Sequence, residues 1–201
     1  MGFDLHGMNP QSDIPEPRWT KDDPMVKTGE NSYAINPQVK EEYDDYMKSK
    51  WEWQDRTDGA YFRNNVWFWR PLWHFVTSIC DDILTEKDIE RGNFNDGHKI
   101  SKTKATKIAK RLFKLIKNGD VKAYESARDR HLDSLEQLDC DICDSTGKRQ
   151  EPPKTGAGDV ECNGCNGTGK KDDWEKSYPF SEDNVRQFAN FCANSGGFRI
   201  C

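Results

Sequence analysis

The chain has 201 residues, of which 34% are hydrophobic and 32% charged, and its net charge is −5. Because non-specific affinity for nucleic acids depends on cationic contacts with phosphates, this charge argues against a general polyphosphate binder. No run of about 18 apolar residues occurs, so we expect no membrane span and no membrane partner.

Both ends of the chain have the alternating pattern of short strands. Phe3 and Leu5 alternate with polar residues in 1–6, and residues 198–201 show the same alternation. We predict that these two segments pair and form a small terminal β structure.

Residues 11–58 are predicted to be a polar, partly irregular insertion. The mean hydropathy of the chain is −1.00, which is low for a compact globule and indicates that part of it is extended. Asn36-Pro37 is typical of an N-cap followed by the first helical residue. It predicts a helix that runs to about Trp51 and packs lightly.

The stretch from Tyr61 to Arg70 mixes aromatic and polar side chains as binding sites do. Its guanidinium groups, amides and flat faces together can stack a ring and hold a carboxylate or phosphate. The alternative, which we favour for the tryptophans, is a core segment in which asparagines cap a helix and arginines pair with acids. Pro71 is expected to begin or kink that helix. The ligand-binding candidates are Arg63, Asn64, Asn65, Trp67 and Arg70.

A polar loop at 93–99 gives a second group of candidates, Asn95, Asp96 and His98. His98 can serve as an acid or base near neutral pH, and the helix N-terminus beyond it can receive an anion. A turn followed by a helix cap explains the same residues without a ligand. Because the sequence has no nucleophile elbow, P-loop or dinucleotide fingerprint, an enzyme is the weaker class.

Three amphipathic helices are predicted in the second half of the chain. They cover 102–117 after a Ser101 cap, about 121–138, and a final segment capped by Ser181. The first has many basic residues, for which we favour a solvated polar face over a phosphate-binding one. These residues are Lys102, Lys104, Lys107, Lys110, Arg111, Lys114 and Lys117.

Four of the seven cysteines have the spacing of a tetrahedral zinc site, two C-x2-C pairs separated by eighteen residues. Two disulfides are the alternative, but a C-x2-C disulfide closes a very short loop, so zinc is favoured. Four thiolates leave the metal no open position, which indicates a structural site in a reducing cytoplasm. The predicted ligands are Cys140, Cys143, Cys162 and Cys165.

The repeats around these cysteines resemble a known zinc-binding family. Residues 162–169, Cys-Asn-Gly-Cys-Asn-Gly-Thr-Gly, match the C-x-x-C-x-G-x-G repeat of the cysteine-rich domain of DnaJ-type chaperones, whereas the copy at 140–147 has Ser145 in place of the first glycine. The family has four repeats and two zinc sites, so the resemblance implies one zinc for the two repeats here. Because no His-Pro-Asp tripeptide occurs, co-chaperone activity is not implied.

A looser resemblance covers the whole chain. The opening MGFDLHGMNP, the stretch YFRNNVWFWRPLW, the four-cysteine module and the closing SGGFRIC are similar to a group of small tailed-phage proteins without an assigned activity. The resemblance implies a bacterial host cytoplasm and a host-directed or counter-defence role, with no functional residues to carry over. Residues 11–58 are an addition to the compact pattern of that group.

Together these patterns predict a mainly α-helical fold with a small terminal β pairing and an inserted four-cysteine zinc loop. The helical domain comprises 1–139 and 172–201, and the zinc-binding module comprises 140–171. We expect a non-enzymatic binding protein of phage type, stabilised by one structural zinc. Its partner is expected to be a host or defence protein or a small anionic, nucleotide-like ligand.

Two alternative functions stay open from the sequence. The first is an accessory protein for single-stranded nucleic acid, on which exposed tryptophans stack bases. Its charge would come from the lysine-rich helix and from Lys148, Arg149, Lys170 and Lys171. The second is a hydrolase or transferase that uses His98 and Asp96.

Overall fold

The computed structural model describes residues 2–201, which form six α-helices, ten short strands and one 3-10 turn at Trp174–Ser177. The helices are α1 (Lys40–Arg56), α2 (Val66–Ile79), α3 (Glu86–Arg91), α4 (Lys102–Asn118), α5 (Asp120–Ser134) and α6 (Glu182–Asn194). The strands are β1 (Gly2–Gly7), β2 (Met25–Lys27), β3 (Tyr33–Ile35), β4 (Tyr61–Asn65), β5 (His98–Ser101), β6 (Leu138–Asp139), β7 (Lys148–Arg149), β8 (Val160–Glu161), β9 (Lys170–Lys171) and β10 (Gly197–Ile200).

A four-stranded antiparallel sheet stands at the centre of the fold, in the order β4-β1-β10-β5. The predicted pairing of the two ends is confirmed, with Leu5 opposite Ile200 in adjacent strands. The prediction of only a small terminal pairing missed β4 and β5, which extend the sheet on both sides. With 43% helix and 17% strand, the fold is helical with a substantial sheet rather than clearly mainly α.

One face of this sheet packs against the helices and forms the core. Phe3 stacks on Trp69 at 5.3 Å between ring centroids, and Trp69 stacks on Trp73 at the same separation. The two indole N–H groups donate to the Gly92 and Ile89 carbonyls at 2.9 and 3.1 Å, so neither buried polar atom lacks a partner. Burying large apolar side chains stabilises the fold by about 1.5–3 kcal/mol each. The predicted aromatic core is therefore present.

Four of the six helices begin at side-chain caps, three of which the sequence predicts. The Asn65 side chain accepts from the Phe68 amide at 3.0 Å, and Thr85 forms a capping box with Asp88. Ser101 and Ser181 cap α4 and α6. The prediction for α1 was wrong by three residues, because Asn36 forms a turn by accepting from the Gln38 amide and the helix begins only at Lys40.

Residues 11–58 form an irregular segment, the β2-β3 hairpin and α1. Trp53 is the one buried residue of α1, and its indole N–H donates to the Ile14 carbonyl at 2.9 Å. The segment leaves and rejoins the fold at neighbouring points, since the Ser12 and Thr57 hydroxyls lie 3.1 Å apart. Light packing of α1, as expected, leaves its remaining aromatic residues partly exposed.

The basic face of α4 is partly paired and partly exposed to solvent. Lys104 forms an ion pair with the buried Asp88, and Arg111 pairs with Asp82. The other lysines of this helix are exposed, which agrees with a solvated polar face. Across residues 2–201, none of the helices has the length and apolar character needed to cross a membrane.

Candidate metal centre and adjoining pocket

The four predicted cysteines converge on one point. Their sulfur atoms all lie within 4.8 Å of one another, and all four residues are buried. The Sγ atoms of Cys140 and Cys162 are 3.9 Å apart, and those of Cys143 and Cys165 are 3.7 Å apart. Zinc–sulfur bonds of about 2.3 Å in a tetrahedron place sulfurs about 3.8 Å apart, whereas a disulfide needs about 2.05 Å. The geometry therefore fits one metal ion and not two disulfides.

The centre is built from two halves related by an approximate two-fold axis. Residues 138–149 and 160–171 each run as strand, cysteine turn and strand, and β6 pairs with β9 just as β8 pairs with β7. The hydrogen bonds repeat as well, because the Thr146 hydroxyl donates to the Cys143 carbonyl and the Thr168 hydroxyl to the Cys165 carbonyl, both at 2.7 Å. The two cysteine repeats, which are similar in sequence, therefore also have similar backbone conformations.

The two halves interlock through glycines. Gly147 and Gly169 have φ values of 76° and 74°, in the left-handed region that favours glycine. A Cβ on Gly147 would lie 2.2 Å from the Gly167 carbonyl oxygen, and one on Gly169 would lie 2.1 Å from the Ser145 carbonyl oxygen. Each half therefore occupies the space that a side chain of the other would need.

The facing cysteines Cys143 and Cys165 differ in their tendency to ionise, because burial raises the pKa of Cys143 to about 12. The Gly169 amide donates to Cys165 Sγ at 3.2 Å. Burial opposes ionisation of Cys165, but this amide and the neighbouring cysteines outweigh it and lower its pKa to about 7. Since all four positions of a tetrahedron are filled by sulfur, a metal held here has no site for water or substrate.

The basic residues of the module are largely neutralised by neighbouring groups. Lys170 pairs with Asp139 at 2.6 Å across the β6-β9 ladder, and Lys171 pairs with Asp141 at 2.5 Å. Arg149 is buried and donates to the Asn163 side chain at 2.8 Å and the Lys154 carbonyl at 2.9 Å. Of the four zinc-module cations proposed for nucleic-acid contact, Lys148 alone is both exposed and without an ion pair among residues 2–201.

The segment that leaves the module is anchored on α5. The Asp173 side chain accepts from the Glu175 amide at 2.8 Å and begins the 3-10 turn. Glu175 in turn accepts from Arg128 at 2.6 Å and lies 3.3 Å from His131. The Arg128 hydrogen bond, followed by that of His131, lowers the pKa of Glu175. This contact fixes the turn directly after the second cysteine repeat.

A pocket of about 440 Å³ lies between this turn and the outer sides of α2 and α5. Tyr178 stands at its centre, with its ring 5.0 Å from Trp67 and 5.7 Å from Trp174. Arg70 donates to the Tyr178 hydroxyl at 3.3 Å. We call this the arginine–aromatic pocket, and its lining residues are Arg70, Pro71, His74, Tyr124, Arg128, Trp174, Glu175, Tyr178 and Phe180.

Arg128 lines this pocket, and one nitrogen of its guanidinium group has no hydrogen-bond partner among residues 2–201. Its two terminal nitrogens donate to Glu175 and to the Tyr178 carbonyl, at 2.6 and 3.2 Å. Its Nε is buried and has no hydrogen-bond partner among residues 2–201. A buried N–H without an acceptor costs about 1–3 kcal/mol, so the guanidinium of Arg128 is incompletely satisfied at the pocket wall.

The predicted ligand-binding residues of β4 and α2 separate in the structure. Arg70 lines the arginine–aromatic pocket and Trp67 packs against Tyr178 beside it. Arg63 lies on the other side of the sheet, 3.7 Å from Asp4. Asn64 is buried and donates to the Asn184 side chain at 2.8 Å, and Asn65 is the helix cap. The two asparagines therefore hold the fold together.

The second predicted group lies at the opposite edge of the sheet. Asn95 donates to the Gly2 carbonyl at 2.6 Å, and Asp96 accepts from the His98 amide and pairs with Arg91 at 3.0 Å. The His98 ring lies 2.9 Å from a carboxylate oxygen of Asp88 rather than near the Asp96 side chain.

Two residues of these sites were not singled out from the sequence. Asp88 is the third residue of α3 and forms a capping box with Thr85. This motif is the only sequence feature that points to Asp88. Burial opposes its ionisation, but hydrogen bonds from Lys104, Thr85 and His98 outweigh it and hold its pKa well below the ordinary range. Arg128 had no sequence signal, because its partners lie about 50 residues away on the segment after the module.

Comparison of the chain with protein-family models, with curated proteins and with solved structures gave no match.

Proposed function

We propose that this protein is a zinc-stabilised binding protein that holds a small aromatic anion in the arginine–aromatic pocket. The observation that carries the proposal is the pairing of flat aromatic walls with two guanidinium groups, one of which has a buried, unpartnered N–H. A planar ring packs against Tyr178 and Trp174, and its carboxylate or phosphate accepts from Arg70 and Arg128. Nucleotide-like molecules belong to this class.

Zinc is the metal that the four thiolates favour, because soft sulfur ligands in a closed tetrahedron suit Zn²⁺. Its role here is to order the module and the turn that follows it. Since Trp174 and Glu175 belong to that turn and Tyr178 follows it directly, the metal also supports one wall of the pocket. Zinc therefore acts on binding through structure and takes no part in chemistry.

Native mass spectrometry of the protein purified from cells, before and after mild denaturation, tests the proposal. We expect one zinc and a releasable small molecule. Arg128→Gln should abolish the small-molecule mass, whereas Arg130→Gln, on the exposed side of the same helix, should keep it. Retention of the bound molecule in both variants would place the ligand elsewhere.

Zinc removal gives an independent measurement of the same link. Cys162→Ser removes one ligand, so we expect loss of the metal and weaker binding in the pocket, while the helices keep their own core. Elemental analysis measures the loss of zinc, and far-ultraviolet circular dichroism measures whether the helices are retained. Full zinc content in this variant would contradict the assignment of the four cysteines.

A protein partner is the second candidate, and the exposure of two tryptophans beside the pocket favours it. Trp67 and Trp174 are 46% and 70% exposed, and Trp, Tyr and Arg are the residue types that dominate protein interfaces. We propose a host or defence protein as this partner, which is the partner class expected from the sequence. Capture of a single host protein by the wild type but not by Trp174→Ala, with no small molecule released, would favour this candidate.

A further inference from the structure

The outer face of the central sheet has a row of side chains that the pocket does not use. Strand pairing places Tyr61 opposite His6, His6 opposite Arg199, and Arg199 opposite Lys99. The row therefore crosses all four strands, with two rings at one end and two cations at the other. Four strands at about 4.8 Å spacing span about 14 Å.

Helix α1 lies over this row and leaves a cleft beneath it. One cavity of about 730 Å³ separates α1 from the aromatic end of the row, and a second of about 330 Å³ lies at the cationic end. His6, Lys50 and Gln54 line both cavities, so the two cavities adjoin, and we call them together the cleft. From α1, three further rings face the aromatic end, namely Tyr43, Tyr46 and Trp51.

The charges in the cleft are mostly positive although the chain is acidic. Its acids are already engaged, because Asp4 accepts from the Tyr61 hydroxyl and Glu16 lies 3.8 Å from Lys50. Arg199 and Lys99 are exposed and have no carboxylate within ion-pair distance among residues 2–201. Two cations in one row are therefore free to bind an anion.

The His6 ring supplies an aromatic face rather than a further charge. It lies 5.2 Å from the Tyr61 ring. Burial lowers its pKa, and Arg199 and Lys50 add to this effect against the opposing influence of Asp4. Near neutral pH the ring is thus neutral and suited to stacking.

We propose that this cleft binds a nucleotide unit, with the base stacked among Tyr61, His6 and the rings of α1 and the phosphate on Arg199 and Lys99. Aromatic side chains on an open sheet face are a general platform for unpaired bases, and neighbouring cations take the backbone phosphate. The site is separate from the arginine–aromatic pocket. It also differs from the α4 lysines and the zinc-module cations expected from the sequence.

The chemistry is shared by free nucleotides and by single-stranded nucleic acid, and two titrations distinguish these sources. In the first, thymidine or uridine monophosphate is added to the protein and the heat of binding is measured by calorimetry. In the second, the protein is added to fluorescein-labelled dT8 and binding is measured from the fluorescence anisotropy. Binding of the monophosphates identifies a free nucleotide, and binding of dT8 alone identifies a strand. If neither binds at low salt, the proposal is overturned.

Substitutions place the bound unit in the cleft. Arg199→Gln should weaken binding about 10-fold, and for dT8 it should reduce the slope of log K against log salt by about 0.7. Lys110→Gln, an exposed lysine of α4, is the matched control and should change neither. Equal losses in the two variants would overturn the proposal, because they would reflect general charge.

Three further variants test stacking and separate this site from the pocket. Tyr61→Phe keeps the ring and should retain binding, whereas Tyr61→Leu should lose about 10-fold, consistent with one stacked base. In a protein that already carries Arg128→Gln, which disables the pocket, Arg199→Gln should still weaken nucleotide binding about 10-fold. Loss in Arg128→Gln with retention in Arg199→Gln would move the nucleotide to the arginine–aromatic pocket and refute the cleft site.

Discussion

Substitution of Gly169 by alanine tests whether the two cysteine repeats depend on each other. Gly169 lies in the left-handed region at φ 74°, and Gly119 lies in the same region at φ 83°. A Cβ on Gly119 meets nothing within 4 Å, whereas one on Gly169 would lie 2.1 Å from the Ser145 carbonyl oxygen. Comparing the two alanine variants therefore separates the steric collision from the cost of the backbone conformation.

The expected magnitude follows from the metal geometry. Both variants incur about 1–2 kcal/mol for an L-residue in the left-handed region. In Gly169→Ala the two repeats must also separate by more than about 1 Å to restore an ordinary contact, whereas metal–ligand distances tolerate only about 0.2 Å. The Gly169 amide that donates to Cys165 Sγ moves with them. We expect metal affinity to fall by about 10- to 100-fold, or about 1.4–2.7 kcal/mol.

Competition with a chromophoric zinc chelator measures this affinity directly, and thermal unfolding of the metal-loaded proteins gives the stability. Gly119→Ala should unfold at a lower temperature while binding zinc as the wild type does. Equal zinc affinities for Gly169→Ala and Gly119→Ala would refute the interlocked arrangement of the repeats.

Three other changes have defined outcomes. Ser145 has φ 63° where the second repeat has a glycine, so Ser145→Gly should raise the free energy of unfolding by about 0.5–1 kcal/mol in a denaturant titration. Trp53→Ala should speed proteolysis within 11–58, whereas alanine at Trp51, which is 59% exposed, should not. The native pKa of Asp88 is lowered from 3.8, so ionised Asp88 contributes stability above about pH 4 that is lost on further acidification. Asp88→Asn should therefore flatten the fall in melting temperature between about pH 4 and pH 2, and an unchanged slope would contradict the ion-pair network.

Local signals in the sequence identified the features that depend on near neighbours. The cysteine spacing gave the ligand set, and Asn65, Ser101 and Ser181 gave the helix caps, because each cap bonds within three residues. Alternation of Phe3 and Leu5 also predicted the correct face of β1. A pattern of period two reports which side of a strand is buried, whatever its partner.

Features that depend on distant partners could not be predicted. Asn64 is buried only because Asn184, 120 residues away, accepts its amide hydrogen bond, so β4 resembled a polar binding stretch. Lys170 and Lys171, two of the predicted zinc-module cations, are paired with acids about 30 residues away. Arg128 joins the pocket only after the zinc module returns the chain to α5. Each of these contacts joins residues that are far apart in the sequence, so residue spacing alone does not predict it.

Because Ser12 and Thr57 lie close together, the segment between them, which covers one face of the sheet, can be deleted without moving the residues on either side of it. Residues 7–11 hydrogen-bond to the 194–197 turn and to Ala60 without help from the segment, so a short linker could replace α1 and the hairpin while the sheet stays in register. In this shortened chain, the row of side chains from Tyr61 to Lys99 on the outer face of the sheet would be exposed to solvent. Chains that share the core can therefore differ in the length of this segment, and that length would set how readily large ligands reach the sheet.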